Sequence, residues 1–172
     1  MGGGRIVNLF FNKKGVKMKK ILGTLLCASF LFGYDASDLP WAKKACKQGD
    51  SYGCLALGFL YQKGLGVEQN YQKAVEYYKK ACNKNNARAC ASLGFAYNAG
   101  SGVRQNYFEA FKYFKKACDF KYALACASVG HSYASGAGVR QDIYMAKEYY
   151  GKACDLGDQD GCDRYRELNR YR

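Results

Sequence analysis

ACKQGDSYGC, residues 45–54, returns as ACNKNNARAC at 81–90, ACDFKYALAC at 117–126 and ACDLGDQDGC at 153–162. Each copy holds two cysteines eight positions apart: Cys46 with Cys54, Cys82 with Cys90, Cys118 with Cys126 and Cys154 with Cys162. Both series advance by 36 residues without slippage. A fixed period of this size marks a solenoid of stacked supersecondary units. Between the cysteine copies, apolar residues recur at helical rather than strand spacing: Leu57, Phe59, Leu60 and Tyr61, then Val75, Tyr77, Tyr78 and Ala81. Each unit therefore reads as a hairpin of two α-helices.

Glycines mark the breaks. Gly64 and Gly66, Gly100 and Gly102, and Gly136 and Gly138 separate the two helices of a unit, supplying backbone conformations that other residues resist. Asn70, Asn106 and Asp142 follow as N-caps of the second helices. At the other connection Gly49, Asn85 and Gly157 suit a left-handed helix end, and Asp50, Asn86 and Asp158 cap the next helix. Lys121 and Tyr122 fill these slots in the third copy, where the signal is weakest.

Each cysteine pair straddles the tight corner, about one turn before and one turn after it. Two antiparallel helices meeting there bring the sulfurs face to face. Closing a loop of about nine residues stabilises each rung by roughly 2.5 kcal/mol on a chain-entropy estimate. The competing reading, metal ligation, calls for CxxC knuckles or Cys/His mixtures, and the sequence has neither. No metal and no cofactor are expected.

The chain has 172 residues and a formal charge of +13, unevenly placed. Six basic residues, Arg5, Lys13, Lys14, Lys17, Lys19 and Lys20, precede the first acid, so 21 basic residues face 14 acids from Tyr34 onward. MKKILGTLLCASFLFG, residues 18–33, has two lysines, an apolar run and a small terminal residue, the form of a secretory signal peptide. Its apolar run is too short to span a bilayer comfortably. Cys27 follows bulky Leu26, which disfavours lipoprotein processing. The expected organisation is an upstream extension at 1–17, a signal peptide at 18–33 and a repeat solenoid at 34–172. The solenoid divides into a half-repeat at 38–49, repeats at 50–85, 86–121 and 122–157, and a capping helix at 158–172. An exported chain meets an oxidising compartment, secreted or periplasmic, where evenly arrayed cysteines form disulfides. The fold class is all-α: a disulfide-stapled α/α solenoid of about eight helices, monomeric, with no membrane span after signal cleavage. Nucleic acid is a poor partner for such a protein.

The ends read as caps. Trp41 takes the slot of Tyr77, Tyr113 and Tyr149, so an opening half-unit supplies the first helix, and Arg166 stands where Gly58, Gly94 and Gly130 stand earlier.

Leu57, Gly58, Tyr61, Gly64, Gly66, Val67, Lys73, Ala74, Tyr77 and Ala81 resemble the signature of the Sel-one-like repeat, a relative of the tetratricopeptide repeat. With a cysteine pair in each unit, the chain is similar to the Helicobacter cysteine-rich protein family over about residues 38–172. The resemblance implies a secreted, disulfide-laddered superhelix that binds a protein, peptide or cell-wall glycan. It also implies a penicillin-binding or β-lactamase activity, since some members carry that assignment. The residues offer no recognised machinery for it: no serine has a lysine three positions on, and His131 is the single histidine.

By similarity to the tetratricopeptide layout, first helices line a concave face. Phe59, Phe95, His131 and Glu167 then form one row, Gln62, Asn98, Ala134 and Arg170 another, with Tyr52 and Arg88 flanking. Aromatic faces beside amides suit an extended peptide or a sugar. The competing reading makes both phenylalanines core residues. Candidate ligand-binding residues are Tyr52, Phe59, Gln62, Arg88, Phe95, Asn98, His131 and Glu167. Three functions follow: a binding scaffold, a β-lactam hydrolase, or an envelope adaptor within a complex.

Overall fold

In the computed structural model, which describes residues 34–170, the chain is divided into helices where its capping residues fall. Asn70, Asn106 and Asp142 have extended backbones, and their side chains accept from the amides of Lys73, Glu109 and Met145. They satisfy donors that a first helical turn leaves open. Gly64, Gly100 and Gly136 end the preceding helices at φ 70°, 71° and 77°, a left-handed conformation that costs glycine little. Eight α-helices result among the described residues: α1 Leu39–Lys47, α2 Ser51–Lys63, α3 Tyr71–Cys82, α4 Ala87–Ala99, α5 Tyr107–Asp119, α6 Ala123–Ser135, α7 Ile143–Asp155 and α8 Gln159–Arg170. A 3-10 turn, Ala36–Asp38, precedes them, and no strand occurs among the described residues. The expected upstream extension and signal peptide lie outside the described residues.

The corners joining α1 to α2, α3 to α4, α5 to α6 and α7 to α8 share one backbone pattern. Asp50, Asn86, Tyr122 and Asp158 donate their amides to the carbonyls of Ala45, Ala81, Ala117 and Ala153 at 2.9–3.2 Å. Each corner also needs a left-handed residue, and the chain supplies Gly49, Asn85, Lys121 and Gly157. Lys121 adopts φ 60° despite its side chain, and Tyr122 caps α6 without any side-chain bond. The two neighbouring α5–α6 helices and their disulfide hold the third corner in a shape its own residues do not favour.

Four disulfides cross these corners and join consecutive units: Cys46–Cys54, Cys82–Cys90, Cys118–Cys126 and Cys154–Cys162. Their Cα atoms lie 4.4, 4.8, 4.6 and 4.4 Å apart, at the close end of the usual range. Small residues permit that approach. A Cβ on Gly53 would meet Ala45, and one on Gly161 would meet Ala153. The two closest corners are the ones with glycine there.

Within a unit the two helices close on a glycine facing a ring. Gly58 abuts Tyr78, Gly94 abuts Phe114 and Gly130 abuts Tyr150, and a Cβ on these glycines would fall 2.5–2.8 Å from ring carbons. Tyr78, Phe114 and Tyr150 are buried. Tyrosine pairs stack beside them: Tyr61 on Tyr77, Tyr97 on Tyr113 and Tyr133 on Tyr149, with centroids 5.5–5.6 Å apart. No helix packs against α8 at this position among the described residues, and Arg166 stands exposed in the glycine slot. A continuous core of alanine, cysteine and these rings runs from Cys54 to Ala153. A smaller core of Ala42, Ala56, Leu57 and Leu60 lies under Trp41 and Tyr34 at the amino end.

Lysines of the second helices cover rings of the following unit. Lys79 lies 5.9 Å from the Tyr97 ring, Lys115 lies 5.9 Å from Tyr149, and both are half-buried. Their stems cover tyrosines of the next unit, while their charges reach water.

Candidate functional site

The first helices α2, α4 and α6, with α8, carry every candidate ligand-binding residue on one face. Phe95 is 43% exposed, and its ring meets Phe114 edge-on at 4.9 Å. It is therefore anchored but open, which removes the core reading for this position. Phe59 is half-buried, because the Tyr34 ring lies 5.7 Å away at 52°. Tyr52 is 66% exposed, and Arg88, Asn98, His131 and Glu167 are also exposed.

Two of these residues share a groove. Gln62 and Phe95 line an opening of about 280 Å³ with Tyr71, Tyr78, Ser92 and Ser101 among its other walls. It lies between α2 and α4 over the amino-terminal half of α3, with Ala74 and Val75 on the α3 side. One unit on, the position of Val75 carries Phe111, whose ring packs edge-on against Tyr133 at 5.3 Å. The small Val75 thus leaves room where the next unit places a ring.

The groove's polar groups are partly engaged from within. The Tyr78 hydroxyl donates to Gln62 Oε1 at 2.6 Å, fixing the amide so that its NH2 is directed away from that bond. Gln69 Nε2 donates to the main-chain oxygen of Gln62 at 2.9 Å and lies 3.1 Å from the Tyr71 hydroxyl. Ser92 Oγ donates to the Arg88 carbonyl at 3.0 Å and keeps acceptor capacity. Burial raises the Tyr78 phenol well above its ordinary range, with Arg88 and Ser92 acting against it. A neutral phenol at the groove floor is a hydrogen-bonding group, not a base.

His131 and Glu167 lie two and three units from Phe59. His131 is exposed, and its carbonyl accepts from Ser135 Oγ at 2.8 Å. Glu167 pairs loosely with Arg164 at 3.8 Å. Neither borders the groove at Phe95, and the geometry adds no support to β-lactam chemistry. Among the described residues, no three His, Cys, Asp or Glu side chains stand together in a way that could hold a metal.

Several wall residues escape a reading by period alone. Ser92 precedes Phe95 by one turn, so the helical repeat contains the signal, but its occupation by Ala56 in the unit before conceals it. Tyr71 and Ser101 come from elements outside the first helices. Tyr34 has no counterpart in the repeat, since its slot is filled by the capping Asn70 one period later.

The Sel1 repeat pattern matches residues 41–50, 51–86, 87–119 and 123–158. Among curated proteins, none matches the chain. Three solved structures are similar. A protective antigen of uropathogenic Escherichia coli with an SLR fold is 35% identical, with a TM-score of 0.71 over 74% of this chain. This chain spans only 27% of that protein's length. A Sel1 repeat protein from Oxalobacter formigenes is 32% identical, with a TM-score of 0.70, covering 76% of this chain and 98% of its own. Helicobacter pylori cysteine rich protein B is 31% identical, with a TM-score of 0.60, covering 74% and 91%. The repeat pattern accounts for more than half of the sequence, and the stacked hairpins carry the same architecture: this chain belongs to the Sel1 repeat family.

Proposed function

We propose that the protein is a binding scaffold that holds an extended peptide segment of a protein partner across the first helices. The observation that carries this reading is the groove between α2 and α4. There the anchored, exposed ring of Phe95 stands beside the hydroxyls of Tyr71, Ser92 and Ser101 and the amide of Gln62. A ring face offers apolar contact at small entropic cost, and the hydroxyls and amide match a peptide main chain.

Four disulfides favour an oxidising, extracytoplasmic location, and no helix among the described residues is long and apolar enough to cross a membrane. Signal cleavage near residue 33 and action outside the cytoplasm belong to this proposal.

The test is a pull-down from envelope extract with the oxidised chain, followed by calorimetry with a peptide mapped from the captured protein. Phe95→Ala with Asn98→Ala is expected to weaken that peptide about tenfold or more, the loss of one aromatic and one amide contact at about 1.4 kcal/mol per decade. Helical content should stay unchanged. Undiminished affinity would remove the face from the binding site.

A further inference from the structure

Tyr34 lies against the first ring of the aromatic row. Its ring packs on Phe59 at 5.7 Å and 52°, whereas the equivalent Phe95 is open. The residues after it are fixed. Asp35 and Asp38 cap the 3-10 turn reciprocally, Ser37 N donating to Asp35 Oδ1 at 2.7 Å and Asp35 N to Asp38 Oδ2 at 3.1 Å. Ala36 backs onto Gly66, where an added Cβ would meet its carbonyl at 3.2 Å. This turn delivers the Tyr34 ring to α2.

The ring is half-buried and packs on the amino-end core of Ala42, Ala56, Leu57 and Leu60. Burial raises the Tyr34 phenol, opposed by Arg88 and reinforced by Asp50 and Tyr52. The Tyr34 ring therefore covers Phe59 from outside the repeat. Nothing in the 36-residue period requires a ring there, and the three later equivalent positions, Asn70, Asn106 and Asp142, carry none.

We propose that Phe59 is the seat for an aromatic side chain of the bound peptide, and that Tyr34 holds this seat in the free protein. The inference rests on the peptide-binding reading above and specifies its ligand: an extended segment carrying tyrosine or phenylalanine, whose ring displaces Tyr34. A seat occupied from within lowers apparent affinity by the fraction of time it is closed.

The probes are N-acetyltyrosinamide and the acetylated, amidated pentapeptide Ala-Ser-Tyr-Ser-Ala, titrated into oxidised protein with the ring resonances of Phe59 and Phe95 followed separately by NMR. Tyr34→Ala is expected to bind both probes at Phe59 about tenfold more tightly than the wild type, the change for a seat free one-tenth of the time. Tyr34→Phe, which keeps the ring, should stay close to the wild type. Adding Phe59→Ala to Tyr34→Ala should remove the gain in affinity, read from the tyrosine ring resonances of the probe itself. Equal binding by wild type and Tyr34→Ala, or binding that survives Phe59→Ala, overturns the seat. If the pentapeptide shifts Phe95 alike in all variants while Phe59 shows no dependence on Tyr34, the seat falls and the groove stands. If neither ring moves with either probe, both fall.

Discussion

The rungs of the disulfide ladder should not be equal, and the difference can be worked from burial. Cys82 and Cys90 are both fully buried, in the middle of the continuous core. Cys154 and Cys162 are half-buried at the end, joining α8, whose single buried residue is Gly161. Removing either rung by double substitution to alanine frees a loop of about nine residues, a loss of about 2.5 kcal/mol on the chain-entropy estimate. At the central rung two sulfurs, each near a methylene in size, also vanish from a packed interior, adding about 1 kcal/mol apiece. The expected cost is about 4.5 kcal/mol for Cys82→Ala with Cys90→Ala, against about 2.5 kcal/mol for Cys154→Ala with Cys162→Ala. The assay is urea unfolding followed by circular dichroism, with amide exchange to locate the change. At the end rung, exchange should quicken in α8 alone, since each unit of a stack is held by its neighbours. At the central rung it should quicken on both sides of the corner. Equal losses at the two rungs, or a central loss below about 1.5 kcal/mol, would refute the claim that the ladder works through loop closure plus core packing.

Three further outcomes are expected. Gly94→Ala should cost about 2 kcal/mol through overpacking, because the new Cβ falls 2.5 Å from Phe114 ring carbons; in a Phe114→Leu background the penalty should shrink, which a double-mutant cycle in urea measures. Asn86→Ala should cost about 1 kcal/mol, since buried Asn86 caps α4 through the Ala89 amide at 3.0 Å, and the urea midpoint reports it. Alkaline pH should destabilise the fold: Tyr34, Tyr77, Tyr78, Tyr113, Tyr133 and Tyr150 all have phenols raised by burial above 10.0. The folded state then holds protons that the unfolded state releases, so stability is full below about pH 10 and falls above it; a urea midpoint unchanged between pH 9 and 11 would contradict this.

Much of the fold is legible because each structural rule acts within a few residues. A left-handed corner needs glycine or asparagine, a helix start needs a short polar side chain, and both recur where the sequence places them. The third corner shows where such reading weakens: Lys121 and Tyr122 lack both signals, yet the backbone repeats because neighbouring units impose it. The role of Gly58, Gly94 and Gly130 was visible as a pattern but not as a cause, since the ring each one meets comes from the partner helix. The candidate face is legible in its rows and not in its coverage by Tyr34. Period alone aligns Phe59 with Phe95, but only the fold shows that Tyr34 covers one and leaves the other open.

The repeats also serve as an internal comparison that separates architecture from recognition. Ala45, Ala81, Ala117 and Ala153 are identical across the four corners, as are Gly58, Gly94 and Gly130 across the three hairpins. At those positions a larger side chain meets a neighbouring helix, so packing permits one answer. The rows on the first helices vary instead: Tyr52, Arg88, Leu124 and Asp160; Phe59, Phe95, His131 and Glu167; Gln62, Asn98, Ala134 and Arg170. Exposure alone would allow such variation anywhere on the surface, but here it is graded. Aromatic rings stand on α2 and α4, and ionisable side chains replace them toward α8. The groove with Phe95 and the contact of Tyr34 with Phe59 both lie at the aromatic end. On the peptide-binding proposal, this grading predicts that a bound segment runs in one direction, its rings toward α2 and its polar residues toward α8, with the stapled corners keeping the rows in register.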